Sequence, residues 1–485
     1  PSCESCRLPT EQRYSCYTCN KESPQKCHEQ AVPYSQKKID IRHHFTSALA
    51  HLGIKQYPDL IKGVRGTSNK DHTPEHLAKG ILRAIHNVYI NKDGTIRYDM
   101  TEMPLTHFKP SEIGTPVDKL LKLGYTHDIQ GQPLQRDDQI LELKIQDLIL
   151  PAAPESLDEP ATHVFYRIAC FIDDLLEKFY HLPRYYNLKD ASDLVGHLVV
   201  GLAPHISAGI AGRIIGFSKT QVILAHPYYH SCVRRDCDGD EMAVILLLDT
   251  LLNFSRHYLP DHRGATQDTP LVLSSRIIPK EVDDMVFDMD VAWKYPLELY
   301  EGALAFKKPW EVTVSQLKPR IGTDKQYTDF GYTHPVDDFN FGVRCSAYKS
   351  IPTMEDKVKG QLEIAEKIRA VDQDDVARLV VDRHFIRDIK GNLRKFSTQE
   401  FRCIKCNEKY RRPPLFGACL KCEGNIVFTV AEGSIIKYLE PSLSLAEKYH
   451  LPPYLVQSLL ITRERVESIF GREKEKQEGL GKWFG

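Results

Sequence analysis

Apolar positions change period several times along this chain, and each change predicts a different element. "ATHVFYRIACFIDDLLEKFYHL", from Ala161 to Leu182, repeats its apolar residues at three- and four-residue steps and predicts an amphipathic helix, preceded by the proline-rich connector "PAAPESLDEPA". From Leu194 to His230 that period is lost: "LVGHLVVGLAPHISAGIAGRIIGFSKTQVILAHPYYH" sets glycines among β-branched residues, which predicts short buried strands with tight turns. "EMAVILLLDTLLNFSRHYL", Glu241 to Leu259, has the length and apolar density of a buried helix. "NVYINKDGTIRYDM", Asn87 to Met100, places β-formers on both sides of Asp93-Gly94 and predicts a hairpin. Charged and apolar residues alternate at helical period in 354–389 and again in 434–470, which predicts two helical blocks, and "GREKEKQEG" after the second predicts a flexible linker. No repeat of solenoid period is present.

With 485 residues and 42% hydrophobic content, the chain exceeds one ordinary core, and three or more domains of about 100 to 200 residues are expected. The longest uncharged apolar run, "MAVILLL", falls short of the roughly 18 to 20 residues of a membrane span, and no leader pattern opens the sequence, so neither secretion nor insertion is expected. Lysine plus arginine total 64 against 65 acids, so contact with a polyanion must come from local patches. Of thirteen cysteines, eight form four C-x-x-C pairs, which points to zinc. Cys3, Cys6, Cys16 and Cys19 form one candidate set, with Cys27 or His28 as substitute ligands, and Cys403, Cys406, Cys419 and Cys422 form the other. Four thiolates leave no open coordination position, so both sites are expected to be structural.

The chemistry-bearing stretch is "HPYYHSCVRRDCDGDEMAVILLLDTLLNF", where Asp236, Asp238 and Asp240 recur at every second position around Gly239. A calcium loop of EF-hand type is excluded, because counting from Asp236 the glycine falls fourth and position twelve is Leu247. Three neighbouring carboxylates repel one another and invite a hard divalent cation; Mg²⁺ takes carboxylate oxygen and keeps positions for water and phosphate. Arg234, Arg235, His226 and His230 stand beside the acids as candidate partners of phosphate oxygens. The plainer alternative is a solvated acidic turn capping the following helix. Lys62 and Arg65, in the basic segment "IKGVRGTSNKDHTPEHLAKGILRAIHN", and "KYRRPPLFG" in the second cysteine set suit a DNA backbone or simple surface solvation.

The string "HPYYHSCVRRDCDGDEMAVILLLDTLLNFSRHYLP" closely resembles the catalytic signature of the large subunit of archaeal family D DNA polymerase. "IKGVRGTSNKD", "KGILRAIHNVYINKDGTIRYDMTEMPLTHFKPSEIG", "GLAPHISAGIAGRIIGF", "QLEIAEKIRAVD" and "TQEFRCIKCNEKYRRPPL" resemble that family in the same order, over nearly the whole chain. The resemblance implies a multi-domain α+β protein with a double-psi β-barrel catalytic core, zinc ribbons and helical modules. It implies Asp238 and Asp240 as ligands of a two-magnesium site that transfers a nucleotide from a dNTP to a primer 3′ hydroxyl. Where the family usually shows asparagine this chain has Asp236, a third candidate carboxylate. On this reading residues 1–36 and 399–426 are zinc ribbons, 37–155 a DNA-facing region contributing to the barrel, and 156–345 the catalytic barrel region. Residues 346–398 are helical, 427–471 a helical partner-docking region, and 472–485 a disordered tail.

The tail "QEGLGKWFG" places Gln477, Leu480, Trp483 and Phe484 at the spacing of a sliding-clamp-binding box, with docking on the protein's own surface as the alternative. The resemblance further implies primed DNA and dNTPs as substrates, a small phosphodiesterase-like exonuclease subunit and the sliding clamp as partners, and a cytoplasmic, nucleoid-associated setting. It also implies an additional N-terminal portion of the large subunit, so this chain alone is expected to polymerise poorly. A non-catalytic assembly module that recruits clamp and small subunit is the alternative from another class, and an RNA-polymerase-like enzyme a third.

Overall fold

The structure, a computed structural model, describes residues 40–55, 58–63, 75–91, 93–204, 206–236, 238–254, 271–331, 338–347, 350–427, 430 and 432–470, and the backbone of three antiparallel strands at 14–16, 22–23 and 31–32. The chain divides into two compact units, Pro1–Cys345 and Ser346–Gly485. The fold is mixed α+β.

In the first unit a large mixed sheet is built from β1 (Tyr98–Pro104), β2 (Asp147–Pro151), β3 (Leu198–Leu202), β4 (Ala208–Ser218), β5 (Val222–Ala225) and β6 (Glu241–Leu246). Its hydrogen-bonded order is β4–β2–β5–β1–β6–β3, and β3 pairs again with β4, so the ladder returns to the strand it started from. β2/β4 and β1/β5 are parallel and the other four pairings antiparallel. A seventh strand, β7 (Val272–Ser274), adds in parallel to β4. β2 is buried at all five of its positions, and β3 and β6 at all but their first residue, which is why these segments read as continuous apolar runs.

Helices cover the sheet. α1 (Ile41–Leu52) starts at an Asp40 cap and ends at Gly53 in the left-handed region, and α2 (Leu77–Ile85) follows. α3 (Ala161–Asp174) puts Phe165, Ile168 and Ile172 into the core and runs on as a π turn, Leu175–Phe179. α4 (Pro227–Cys232) inserts Tyr229 between β3 and β4: its hydroxyl donates to the Ile210 carbonyl (2.9 Å) and accepts from the Gly201 N–H (3.1 Å). A Cβ at Gly201 meets that hydroxyl at 2.4 Å, so only glycine fits there. α5 (Leu247–Asn253) continues from β6. In the second unit, α6 (Met354–Lys367), α7 (Gln373–Leu379), α8 (Ile386–Thr398), α9 (Leu439–Lys448) and α10 (Pro453–Phe470) enclose a core that includes Leu362, Ala377, Val381 and Leu459. Among the described residues no helix is long and apolar enough to cross a membrane.

Two expected elements differ. The helix expected over Glu241–Leu259 is strand β6 followed by α5, because Ala243 and Val244 pair with β1 on one side and β3 on the other. A fully buried strand and a buried helix share one apolar pattern, and only the partners separate them. Among the described residues, 87–91 form no strand ahead of Asp93-Gly94. The Val88 N–H bonds back to the Arg83 carbonyl, and the Asp93 carboxylate accepts from the Thr95 N–H and hydroxyl, so a side-chain-held turn leads into β1.

Candidate active site

The three aspartates lie on the loop between α4 and β6. His226 caps α4, its Nδ1 accepting from the Tyr228 N–H at 3.1 Å, and Pro227 takes the first helical position. Past the helix, Arg234 adopts φ +58°, and the Arg235 N–H donates to the His230 carbonyl at 3.0 Å. Gly239, at φ +102°, makes the turn that side chains rarely tolerate, facing Thr101 on β1. The loop ends where the Asp240 carbonyl accepts from the Glu102 N–H at 2.9 Å, and Glu241 begins β6 opposite Thr101.

Asp236 and Asp238 are exposed and Asp240 is half-buried, its carboxylate 3.5 Å from the Arg235 guanidinium. Arg234 projects into solvent 3.9 Å from Asp283, a spacing at which an exposed pair holds little. The carboxylates are not gathered on one point. Among the described residues only Cys403, Cys406, Cys419 and Cys422 form a set of three or more potential metal donors within 4.8 Å of one another. Asp240 lies beside Arg235, and like charge disfavours gathering the three carboxylates without a cation. Their donor chemistry, carboxylate oxygens open to water on a loop fixed at both ends, suits a hard cation such as Mg²⁺.

Beneath the loop, Glu102 Oε2 lies 2.6 Å from His230 Nδ1, and both side chains are fully buried. His230 Nε2 faces the Met103 carbonyl at 3.1 Å. His226 is also fully buried, stacked on Tyr228 (5.1 Å between centroids) and edge-on to Phe330 (4.6 Å). Burial, helped by His230 and His107, holds its imidazole down at about 3. His107, also buried and 5.9 Å from the Trp293 ring, is held down at about 4 by desolvation.

These placements correct the expectation that His226 and His230 meet phosphate: α4 turns both rings into the core, where they offer no face to a ligand. Lys62 is half-buried and already engaged, donating to Asn87 Oδ1 at 2.6 Å and lying 3.6 Å over the Tyr89 ring. Arg65, the tail residues Gln477, Leu480, Trp483 and Phe484, and the side chains of Cys3, Cys6, Cys16, Cys19, Cys27 and His28 lie outside the described residues. Glu102 was missed by sequence reasoning. Its signal is the strand period: Met100 and Glu102 share the inward face of β1 while Asp99 and Thr101 point out, and a glutamate at an inward position needs a partner.

The second cysteine set is built as a metal knuckle pair. Sγ atoms of Cys403 and Cys422, and of Cys406 and Cys419, are 3.5 Å apart. The Lys405 and Lys421 N–H groups donate to Cys403 and Cys419 sulfur at 3.3 and 3.4 Å, as befits thiolate ligands. The Tyr410 hydroxyl, 3.2 Å from Cys419 Sγ, holds that thiol below its ordinary range. Four convergent sulfurs fit tetrahedral Zn²⁺.

Residues 53–357 match the family model described as "DNA polymerase II large subunit DP2, catalytic domain". The chain is similar to the protein named DNA polymerase II large subunit of Methanocella arvoryzae, with 48% identity over 458 residues, 94% of this chain and 40% of that protein. The proteins of the same name from Archaeoglobus fulgidus and Pyrococcus furiosus are each 47% identical, over 99% and 96% of this chain and 42% and 38% of their own lengths. The chain thus spans about 40% of the length of these relatives.

Proposed function

Because this chain belongs to the DNA polymerase II large-subunit family, we propose that it carries the catalytic part of a DNA-directed DNA polymerase. The observation that carries the reading is that the catalytic-domain match spans the loop on which Asp238 and Asp240 are held between α4 and β6. The return of the strand ladder to β4, with two parallel and four antiparallel pairings, supports a double-psi β-barrel as the frame of that loop.

Asp238 and Asp240 are the magnesium ligands, with Asp236 as a third carboxylate within reach. The bound metal supplies the positive charge that phosphoryl transfer to a primer 3′ hydroxyl requires. Arg235 holds the Asp240 carboxylate in place, and the exposed Arg234 offers its guanidinium to phosphate oxygens. The openness of the loop gives a long polymer access to it. Zn²⁺ on Cys403, Cys406, Cys419 and Cys422 closes the ribbon that carries the basic "KYRRPPLFG". The small exonuclease subunit, and the sliding clamp on Gln477, Leu480, Trp483 and Phe484, are the partners of the assembly. A purely assembling module is disfavoured, since it has no use for an intact acidic loop with Arg235 beside Asp240.

The test is primer extension by this chain combined with the rest of the large subunit and the small subunit, since the relatives are more than twice its length. Asp238→Asn/Asp240→Asn is expected to abolish synthesis while DNA binding persists; retained synthesis refutes the reading.

A further inference from the structure

The acidic loop is closed at its base by a buried pair that the aspartate motif does not explain. The chain enters the loop from α4, where the His230 carbonyl accepts the Arg235 N–H at 3.0 Å. It leaves at Asp240, whose carbonyl accepts the Glu102 N–H at 2.9 Å. The side chains of the same two anchoring residues meet at 2.6 Å, and Arg235 reaches Asp240 at 3.5 Å above them. Two backbone bonds and two side-chain contacts therefore form one closed circuit around the loop.

Stability alone does not account for this arrangement. A buried ion pair is equalled or bettered by well-packed apolar side chains of similar volume. Here Glu102 Oε1 has no hydrogen-bond partner among the described residues, an added cost. What the pair supplies is direction. His230 faces an acceptor at each ring nitrogen, Glu102 and the Met103 carbonyl, so its ring cannot turn without losing one of them. We infer that Glu102 and His230 are positioning residues: they fix the separation of the loop's two ends, and with it the spacing of Asp238 and Asp240, before a cation arrives. This rests on the reading of the loop as a magnesium site.

The experiment is a titration of the full chain with Mn²⁺ alone, free ion being followed by electron paramagnetic resonance, with a thermal melt of each protein. Asp238→Asn/Asp240→Asn defines the binding that belongs to the loop. If that variant binds Mn²⁺ as the wild type does, the metal reading of the loop fails, and the failure is distinct from that of the positioning role. Glu102→Gln is expected to weaken loop binding about tenfold or more, the usual effect of removing a residue that orients metal ligands, and to lower the melting temperature as well, because the buried His230 loses its carboxylate partner. Glu102→Leu/His230→Leu replaces the pair without leaving a lone buried charge, so it is expected to fold and to show the same loss. Wild-type Mn²⁺ affinity in that double variant, or a lowered melting temperature with unchanged affinity in Glu102→Gln, overturns the inference.

Discussion

Acid sensitivity of the first unit follows from His226. Its ring is fully buried and held down at about 3, against about 6.5 for a histidine in an unfolded chain. A base with a lowered folded pKa binds its proton more tightly when unfolded, so its contribution to stability is present above about pH 6.5 and is lost as pH falls. Near pH 5 the loss is about 1.5 pH units at 1.36 kcal/mol each, or about 2 kcal/mol. His226→Asn isolates this contribution, because asparagine is a strong N-cap whose oxygen replaces Nδ1 as acceptor for the Tyr228 N–H and does not titrate. The variant forfeits ring contacts with Tyr228 and Phe330, an effect of about 1 to 2 kcal/mol that is independent of pH. Urea unfolding followed by the fluorescence of Trp293 and Trp310 is expected to find the variant less stable near pH 7.5, the gap narrowing by about 2 kcal/mol near pH 5. His107, held down by desolvation, is present in both proteins. Parallel pH dependences in the two proteins refute the reasoning.

Asp249 has the opposite sign: burial pushes its carboxyl up to about 6 although it accepts from the Ile96 N–H and the Asn253 side chain. Its contribution is fullest below about pH 4 and is lost as pH rises through about 6, so Asp249→Asn is expected to gain about 3 kcal/mol relative to wild type between those limits in urea titrations. Gly239→Ala strains a backbone at φ +102° on an exposed turn, so synthesis is expected to fall about tenfold or more while the melting temperature barely moves. Cys406→Ser removes one of four convergent sulfurs, and amide exchange is expected to accelerate across 401–427 with no change in β1 to β6.

Local chemistry was readable along the chain and long-range pairing was not. C-x-x-C spacing alone identified the cysteines that converge at Cys403, Cys406, Cys419 and Cys422, because the knuckles are made within a few residues. Aspartates flanking Gly239 marked a loop by their repulsion and by the glycine between them. Helical period found α3, α6, α7 and α10, whose apolar residues recur at three- and four-residue steps. β6 escaped because it is buried on both sides, and its partners β1 and β3 lie far from it in sequence. His226 and His230 were read beside the arginines as cations, yet the turn of a six-residue helix places them inside and Arg234 outside. Glu102 acquires its meaning only when β1 is laid against the loop, more than 120 residues further along the chain.

The central claim, that this loop holds the divalent cation of nucleotide transfer, is tested most directly by anomalous diffraction. Crystals of the assembled large subunit would be grown with primed DNA, a non-hydrolysable triphosphate and Mn²⁺. The account predicts manganese peaks bound to the Asp238 and Asp240 carboxylates and to the triphosphate. A bound triphosphate with manganese elsewhere, and none on the loop, contradicts it.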